Sequence, residues 1–388
     1  MSANGFHIGG SVDPRFGRVR DAFADNLASG ADVGAACCVY VRGRVVVDLW
    51  GGWADRDRER PWTEDTAALV FSSTKGVTAA CALRLVEHGL LDLDAPIAAY
   101  WPEFSAEGKG EVPVRWALSH RAGVPAIDAE LTLDEVLAWH PIVTAIAAQR
   151  PSWTPGSRHG YHFRSYGWIV GELVRRVTGR PFGRVLADEM TAPLGADFWV
   201  GLPAAAEPRV ARLIPPPLLA DPDARAMFER LTGPETLLGR ALTGPSNLFH
   251  YDDMWNTRAL QAAEMPSSNG IGTARALARI YAALVSDVDG VRLLRPETIA
   301  GARAVQSEGS DAVLGLPTRF GTGFMLPPSL SIAAAPAAFG HPGAGGSLGL
   351  ADAEAELGFG YVMNQMQLGL TGDPRSARLL QAAYESLG

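Results

Sequence analysis

Hydrophobic residues in this chain change between helix-like and strand-like spacing, and the order of these patterns predicts the fold. Residues 14–29 carry apolar positions at helical spacing, and two strand-like runs follow at 35–41 and 44–50. Arg42 and Gly43 join the two runs, and so short a link containing glycine is typical of a tight antiparallel hairpin. We therefore predict a helix followed by a β-hairpin near the N-terminus.

The middle of the chain is mainly helical, and its C-terminal part is again strand-like. The predicted helical segments, several of them separated by proline-rich loops, are 74–87, 132–149, 165–178, 183–190, 222–231 and 273–286. Strand-like runs follow at 320–326, 346–351 and 357–364, and a final helix is predicted at 374–387.

Strands near both termini around a helical middle predict an α+β fold, in which the two chain ends build one antiparallel sheet flanked by helices. We assign residues 1–75 and 266–388 to this lobe, and residues 76–265 to an inserted, mainly helical lobe. The active site is expected in the cleft between the lobes, where the helix predicted at 74–87 begins.

Lysine is almost absent from the chain, which makes the position of one lysine informative. Of 34 basic residues only Lys75 and Lys109 are lysines, and Lys75 follows Ser72 by three positions. Arginine stays protonated in proteins, whereas a desolvated lysine can become neutral and accept a proton from a neighbouring hydroxyl. The alternative is that Ser72 or Ser73 caps the helix and Lys75 is solvated. The apolar run after Lys75 favours a lysine in a cleft, and the Ser-x-x-Lys spacing resembles that of β-lactamases and penicillin-binding proteins.

A second motif strengthens this resemblance. Trp-Thr-Pro-Gly at 153–156, then Tyr161, then a helix with Gly167 and Gly171 resembles the second motif of class C β-lactamases and family VIII carboxylesterases. In that family the tyrosine helps the lysine to move the serine proton and later activates water. The resemblance therefore gives Ser72, Lys75 and Tyr161 the catalytic roles. An ordinary core or surface tyrosine is the alternative for Tyr161.

A third motif lies near the C-terminus. His341-Pro342-Gly343 resembles the esterase-type variant of the family's Lys-Thr-Gly motif, with histidine where β-lactamases have lysine. By analogy, the backbone N–H groups of Ser72 and Ala344 form an oxyanion hole, while His341 and Gly343 bind the substrate. A structural role for His341 is the alternative.

The chain departs from the β-lactamase pattern in two places. The family's Tyr-x-Asn is Tyr161-His162-Phe163 here, which puts Phe163 at a substrate-binding position and removes an amide. His341 replaces the lysine that would meet a β-lactam carboxylate. The resemblance, which spans roughly residues 10–385 and includes a 266–273 loop that we interpret as structural, therefore implies an esterase with little β-lactamase activity.

A competing nucleophile also has to be considered. Residues 345–349 fit the Gly-x-Ser-x-Gly pattern, whose serine is a nucleophile only at a strand-to-helix turn with Asp and His following in order. No histidine follows Ser347, and the next run is strand-like. We interpret Ser347 as part of a glycine-rich strand edge.

The composition of the chain indicates which partners and which cellular compartment to expect. The net charge of −8 argues against a nucleic-acid partner, and neither a signal peptide nor a membrane-spanning apolar run is recognisable. Cys37, Cys38 and Cys81 lie in apolar segments that suit buried, reduced thiols, so a cytoplasmic location is expected. No zinc spacing is present, and we expect neither a metal nor an organic cofactor.

Together these observations predict a serine hydrolase that cleaves carboxylic esters of short to medium acyl chains through a Ser72 acyl-enzyme. A peptidase or amidase for D-amino acid substrates and an acyltransferase are alternatives on the same scaffold. A non-catalytic binding module is the alternative from another class. The partner is then a small-molecule ester, and the pattern leaves the oligomeric state open.

Overall fold

A six-stranded antiparallel sheet forms the centre of the protein, and both ends of the chain contribute strands to it. The computed structural model describes residues 7–369 and 372–388. From one edge to the other the strands are β1 (Ile8–Val12), β3 (Arg44–Gly52), β2 (Gly34–Val41), β11 (Leu357–Met363), β10 (Leu348–Asp352) and β9 (Ala338–Pro342). The β2–β11 pair, with Cys37 opposite Tyr361, joins the two ends.

Helices cover both faces of the sheet, which explains why its central strands show little alternation of apolar and polar residues. The adjacent residues Cys37 and Cys38 are both buried, on opposite faces of β2. Helix α11 (Ala274–Val285) packs against β2, β10 and β11 on one face. Helices α1 (Gly17–Ala28) and α13 (Pro374–Glu385) contribute to the core on the other face.

The remaining elements lie mostly between β3 and β9 along the chain. The helices are α2 (Thr74–Glu87), α3 (Val114–Leu118), α4 (Leu133–Leu137), α5 (His140–Ala148), α6 (Ser165–Thr178), α7 (Phe182–Leu186), α8 (Pro222–Leu231), α9 (Leu237–Thr243), α10 (Arg258–Ala262) and α12 (Pro296–Arg303). The short strands β4 (Ala68–Leu69), β6 (Ile271–Gly272) and β5 (Phe198–Trp199) form one small sheet, and β7 (Ser307–Ser310) and β8 (Pro317–Phe320) form another.

Helix α2 is buried on almost every side, although it contains a lysine. Its residues from Thr74 to Leu83 are all buried, and it packs against α6 and next to β9. A helix that is apolar all round belongs in the interior of a protein. This burial places Ser72 and Lys75, at the start of α2, within the body of the molecule.

Two elements differ from the sequence prediction. The helix predicted over 132–149 is divided at Trp139, whose φ of 68° interrupts it, and α5 restarts with Pro141 in its first turn. Proline is tolerated there because the first turn has no intrahelical partner for its missing N–H. The strand predicted at 320–326 is wrong, because β8 ends at Phe320 and Gly323, with a φ of 88°, lies in the following turn.

The α+β fold with one antiparallel sheet from both chain ends is confirmed. Strand β1 was not predicted, because its Ile-Gly-Gly-Ser-Val sequence lacks a strand-like pattern. The division into lobes 1–75 with 266–388 and 76–265 stays a prediction. Among the described residues, no helix combines the length and hydrophobicity needed to cross a membrane.

Candidate active site

Ser72 lies in a tight turn whose preceding residue has an unusual backbone conformation. The 3-10 turn Phe71–Ser73 leads directly into α2, and Phe71 has a φ of 42°, in the left-handed region. The Phe71 ring is held edge-on by Tyr251 and Trp255, at centroid distances of 5.2 and 5.0 Å. Strained residues of this kind persist only where the surrounding packing fixes them, and they concentrate at functional sites.

Lys75 is enclosed and points at Ser72. It is 0% exposed, and its Nζ lies 3.1 Å from Ser72 Oγ. The same Nζ donates to the carbonyl oxygens of Phe163 at 2.6 Å and Ser267 at 3.1 Å. A free amine has two N–H donors and one lone pair, so the two carbonyls can take both donors while the lone pair faces the serine hydroxyl.

The surroundings favour this uncharged form of Lys75. Burial, followed by the positive charge of Arg164, lowers the pKa of Lys75 well below its ordinary value. Because the side chain is fully buried, the alternative in which Lys75 is solvated is wrong. The side chain of Ser73, at the N-cap of α2, makes no capping hydrogen bond.

Tyr161 and His341 form a second pair beside Lys75. The Tyr161 ring centroid lies 4.8 Å from Lys75 Nζ, and the Tyr161 hydroxyl lies 3.4 Å from His341 Nε2. His341 Nδ1 is 2.7 Å from the Pro342 carbonyl, to which it must donate, so Nε2 is the acceptor. Burial and Lys75 lower the pKa of His341 to about 3, and burial raises the pKa of Tyr161, against an opposing interaction with the Ser72 side chain. At rest Tyr161 is therefore protonated and donates to a neutral histidine.

Buried hydrogen bonds fix the loop that carries Tyr161. The backbone N–H of His162 donates to His120 Nδ1 at 3.1 Å, and His162 Nε2 accepts from the Val124 N–H at 3.0 Å. Burial lowers the pKa of His162 to about 4 and that of His120 well below its ordinary value. The Asp311 carboxylate accepts from the Tyr161 N–H at 3.0 Å. Over the ranges 7–369 and 372–388, no group of three or more His, Cys, Asp or Glu side chains is arranged to hold a metal ion.

The turn after β9 docks directly behind Ser72. Ser347 Oγ donates to the Val70 carbonyl at 2.8 Å and lies 3.0 Å from Ser73 Oγ. A Cβ on Gly343 would lie 2.1 Å from Ser347 Oγ and 2.2 Å from the Val70 carbonyl oxygen, so only glycine permits this approach. Ser347 precedes strand β10 rather than a helix, which agrees with its interpretation as a structural serine at a strand edge. In the described part of the chain, no backbone carbonyl accepts from the Ala344 N–H.

The structure brings together Ser72, Lys75, Tyr161 and His341, all predicted from the sequence. Phe163 reaches the site through its carbonyl group, while its ring packs edge-on against Tyr161 at 4.8 Å, so its side-chain contact with a substrate stays a prediction. The substrate contacts of His341 and Gly343 and the oxyanion hole likewise stay predictions.

Two neighbours of Lys75 were not predicted from the sequence. Ser267, in a loop interpreted as structural, binds Lys75 through its carbonyl oxygen, a backbone role that leaves no mark in the sequence. Arg164 contributes charge from a buried position. The only sign of Arg164 in the sequence is that a charged residue directly follows the Tyr161-His162-Phe163 motif.

Comparisons with known proteins show the family to which the chain belongs. The beta-lactamase family model matches residues 19–384, and the chain belongs to the beta-lactamase family. The esterase/beta-lactamase LipL of Mycobacterium tuberculosis is 36% identical over 93% of this chain and 84% of its own length. A crystal structure of a family VIII carboxylesterase superposes with a TM-score of 0.89 at 39% identity, covering 98% of this chain and 100% of that one. A penicillin-binding protein homologue from Caulobacter crescentus gives 0.87 at 38% identity over 98% and 100%.

Proposed function

We propose that this chain is a serine hydrolase that cleaves carboxylic esters of short to medium acyl chains through an acyl-enzyme on Ser72. One observation carries the proposal. The fully buried Lys75 gives its donors to two backbone carbonyls and faces Ser72 Oγ at 3.1 Å. The esterase names of relatives such as LipL support an ester as the substrate.

In the acylation step, Ser72 Oγ attacks the ester carbonyl carbon while its proton passes to the lone pair of Lys75 Nζ. The carbonyl oxygen becomes negative and is stabilised by the backbone N–H groups of Ser72 and Ala344. When the C–O bond of the ester breaks, the leaving alkoxide needs a proton. Tyr161 gives its hydroxyl proton to the alkoxide and recovers one from the Lys75 ammonium group.

Deacylation repeats these steps with water in place of the alcohol. Water attacks the acyl carbonyl and its proton passes through Tyr161 to Lys75, which then returns a proton to Ser72 Oγ as the acid leaves. Because burial raises the pKa of Tyr161, its hydroxyl is protonated at the start of each half-reaction. The tyrosine thus relays protons and carries no lasting charge.

The groups beside Ser72 suit an ester better than a β-lactam antibiotic. His341 is neutral, because its pKa is lowered to about 3, so it offers no positive charge to a carboxylate. Phe163 offers an apolar ring in place of an amide. We place the reaction in a cleft between the two predicted lobes, with little β-lactamase activity.

The proposal is tested with p-nitrophenyl acetate, butyrate and octanoate and, for β-lactamase activity, with nitrocefin. We expect the wild-type protein to hydrolyse the esters much faster than nitrocefin. Ser72→Ala should abolish turnover, whereas Ser347→Ala, which removes the competing nucleophile, should keep it. Ester hydrolysis by folded Ser72→Ala at the wild-type rate would overturn the proposal.

A further inference from the structure

Arg164 carries a buried guanidinium group. Arg164 is 5% exposed, and among the described residues no carboxylate forms an ion pair with its side chain. One guanidinium nitrogen donates to the Leu242 carbonyl, while Nε finds no acceptor within residues 7–369 and 372–388. The guanidinium lies over the Phe249 ring at 4.5 Å and near the Trp255 ring at 5.9 Å. Aromatic faces compensate only part of the lost hydration, so this arrangement is costly.

The same chain shows how it neutralises a buried arginine elsewhere. Arg375 is 2% exposed and forms ion pairs with Asp32 and Asp373, each at 2.8 Å. Arg164 has no equivalent partner in the described residues. Because an unpaired buried charge destabilises the fold, a role other than stabilisation explains its presence.

The position of Arg164 links it to Lys75 through the backbone. Arg164 follows Phe163, whose carbonyl accepts from Lys75 Nζ at 2.6 Å. The Arg164 carbonyl accepts from the Ser267 hydroxyl at 3.0 Å, and the Ser267 carbonyl is the other acceptor of Lys75 Nζ. Both carbonyls that hold the amine are thus tied to Arg164, and its positive charge adds to burial in lowering the pKa of Lys75.

The other titratable groups that face Lys75 are uncharged at neutral pH. Burial raises the pKa values of the tyrosines and lowers those of the histidines, the groups being Tyr161, Tyr166, His120, His162 and His341. Burial also lowers the pKa of Arg164, but only to about 10, so the guanidinium keeps its charge at neutral pH. Arg164 therefore supplies the fixed positive charge near the amine.

We propose that Arg164 is a positioning residue whose fixed, unneutralised charge disfavours protonation of Lys75 and keeps it as the free amine that accepts the Ser72 proton. This inference rests on the proposed function, in which Lys75 is the base. It predicts that removing the charge, without removing Lys75, leaves an enzyme that works only at higher pH.

The chain permits a direct test, because it contains only two lysines. Protein labelled with ¹³C at the lysine ε carbons gives one signal for Lys75 and one for Lys109. Lys109 is an internal control, because it is also 0% exposed and is held by two carbonyl groups, those of Ala106 and Gln149. In Arg164→Met the Lys75 signal should titrate at higher pH than in the wild type, while the Lys109 signal should titrate at an unchanged pH.

A second variant keeps the test possible if Arg164→Met does not fold. Arg164→Gln removes the charge but keeps a donor for the Leu242 carbonyl, and circular dichroism identifies the variant that folds. An unchanged Lys75 midpoint in a folded variant overturns the inference. Equal movement of the Lys75 and Lys109 midpoints also overturns it, because general loosening would then be the cause.

The pH profile of ester hydrolysis gives a second readout. We expect kcat/KM of Arg164→Met to fall more at low pH than at high pH, because loss of the Arg164 charge favours protonation of Lys75 and protonation removes the free amine first at low pH. A loss of the same size at every pH would mean a merely structural role and contradict the inference. Failure of the proposed function is distinguishable, since it is decided by the activity of Ser72→Ala, whereas this inference is decided by the titration of Lys75.

Discussion

Replacing Lys75 by arginine tests the base in this mechanism, because arginine keeps the positive charge of a protonated lysine but cannot release it. Lys75 Nζ lies between Ser72 Oγ at 3.1 Å and the carbonyl oxygens of Phe163 and Ser267 at 2.6 and 3.1 Å. These contacts close around a small amine. A guanidinium group in this space has donors for the carbonyls but no lone pair for the serine proton.

The expected loss can be estimated from this geometry. General-base catalysis accelerates a reaction by about 10²–10⁴-fold, so kcat/KM of Lys75→Arg should fall by at least about 10²-fold. A permanent charge in a site that holds a free amine beside Arg164 should also destabilise the fold, by about 3 kcal/mol or more. The two effects are separated by measuring p-nitrophenyl butyrate hydrolysis and urea unfolding on the same purified protein.

Lys109→Arg is the matched control. Lys109 is equally buried, and its Nζ donates to the carbonyls of Ala106 at 2.8 Å and Gln149 at 2.6 Å, neither of which belongs to the candidate site. This variant should lose stability and keep its kcat/KM. Wild-type turnover by folded Lys75→Arg would contradict the role of Lys75 as the base, as would an equal loss of activity in both variants.

Three further predictions follow from the geometry. Tyr161→Phe should fold normally and lose about 10²–10³-fold in kcat, measured in steady state, because the proton relay is removed; an unimpaired variant would contradict the relay. Gly343→Ala should cost about 1–3 kcal/mol in urea unfolding, since the new Cβ meets Ser347 Oγ at 2.1 Å, whereas Gly301→Ala, with nothing within 4 Å, should not destabilise. As the pH is lowered from about 6.5 to about 4, the free energy of unfolding should fall. Each buried neutral histidine such as His162 should contribute about 1.4 kcal/mol per pH unit. Stability falls on acidification because the pKa of His162 is about 4 in the folded protein, below its value in the unfolded chain, so the unfolded chain binds the proton first. A flat profile of stability against pH would contradict this prediction.

Local spacing accounts for what the sequence predicted well. Residues three apart are neighbours on a helix, so Ser-x-x-Lys at the start of an apolar helix already places Ser72 beside a buried Lys75. The β2–β3 hairpin follows in the same way from the Arg42-Gly43 link. These features depend only on residues close together in the chain.

Features that depend on tertiary contacts or on the backbone could not be predicted. The carbonyl groups of Phe163 and Ser267 hold Lys75, and every residue has such a group, so no residue type marks them. In the part of the chain that the structure describes, Arg164 Nε has no hydrogen-bond partner, and this depends on tertiary contacts that the local sequence does not reveal. The break at Trp139 in the predicted 132–149 helix depends on packing, where its indole donates to Glu172 at 2.7 Å.

Labelling with a serine-reactive phosphonate, followed by peptide mass spectrometry, identifies the nucleophile. We expect the phosphonate to modify Ser72 in the wild type and in Ser347→Ala, and to react much more slowly with Lys75→Arg. An adduct on Ser347, whose hydroxyl is buried and donates to the Val70 carbonyl at 2.8 Å, would contradict the account.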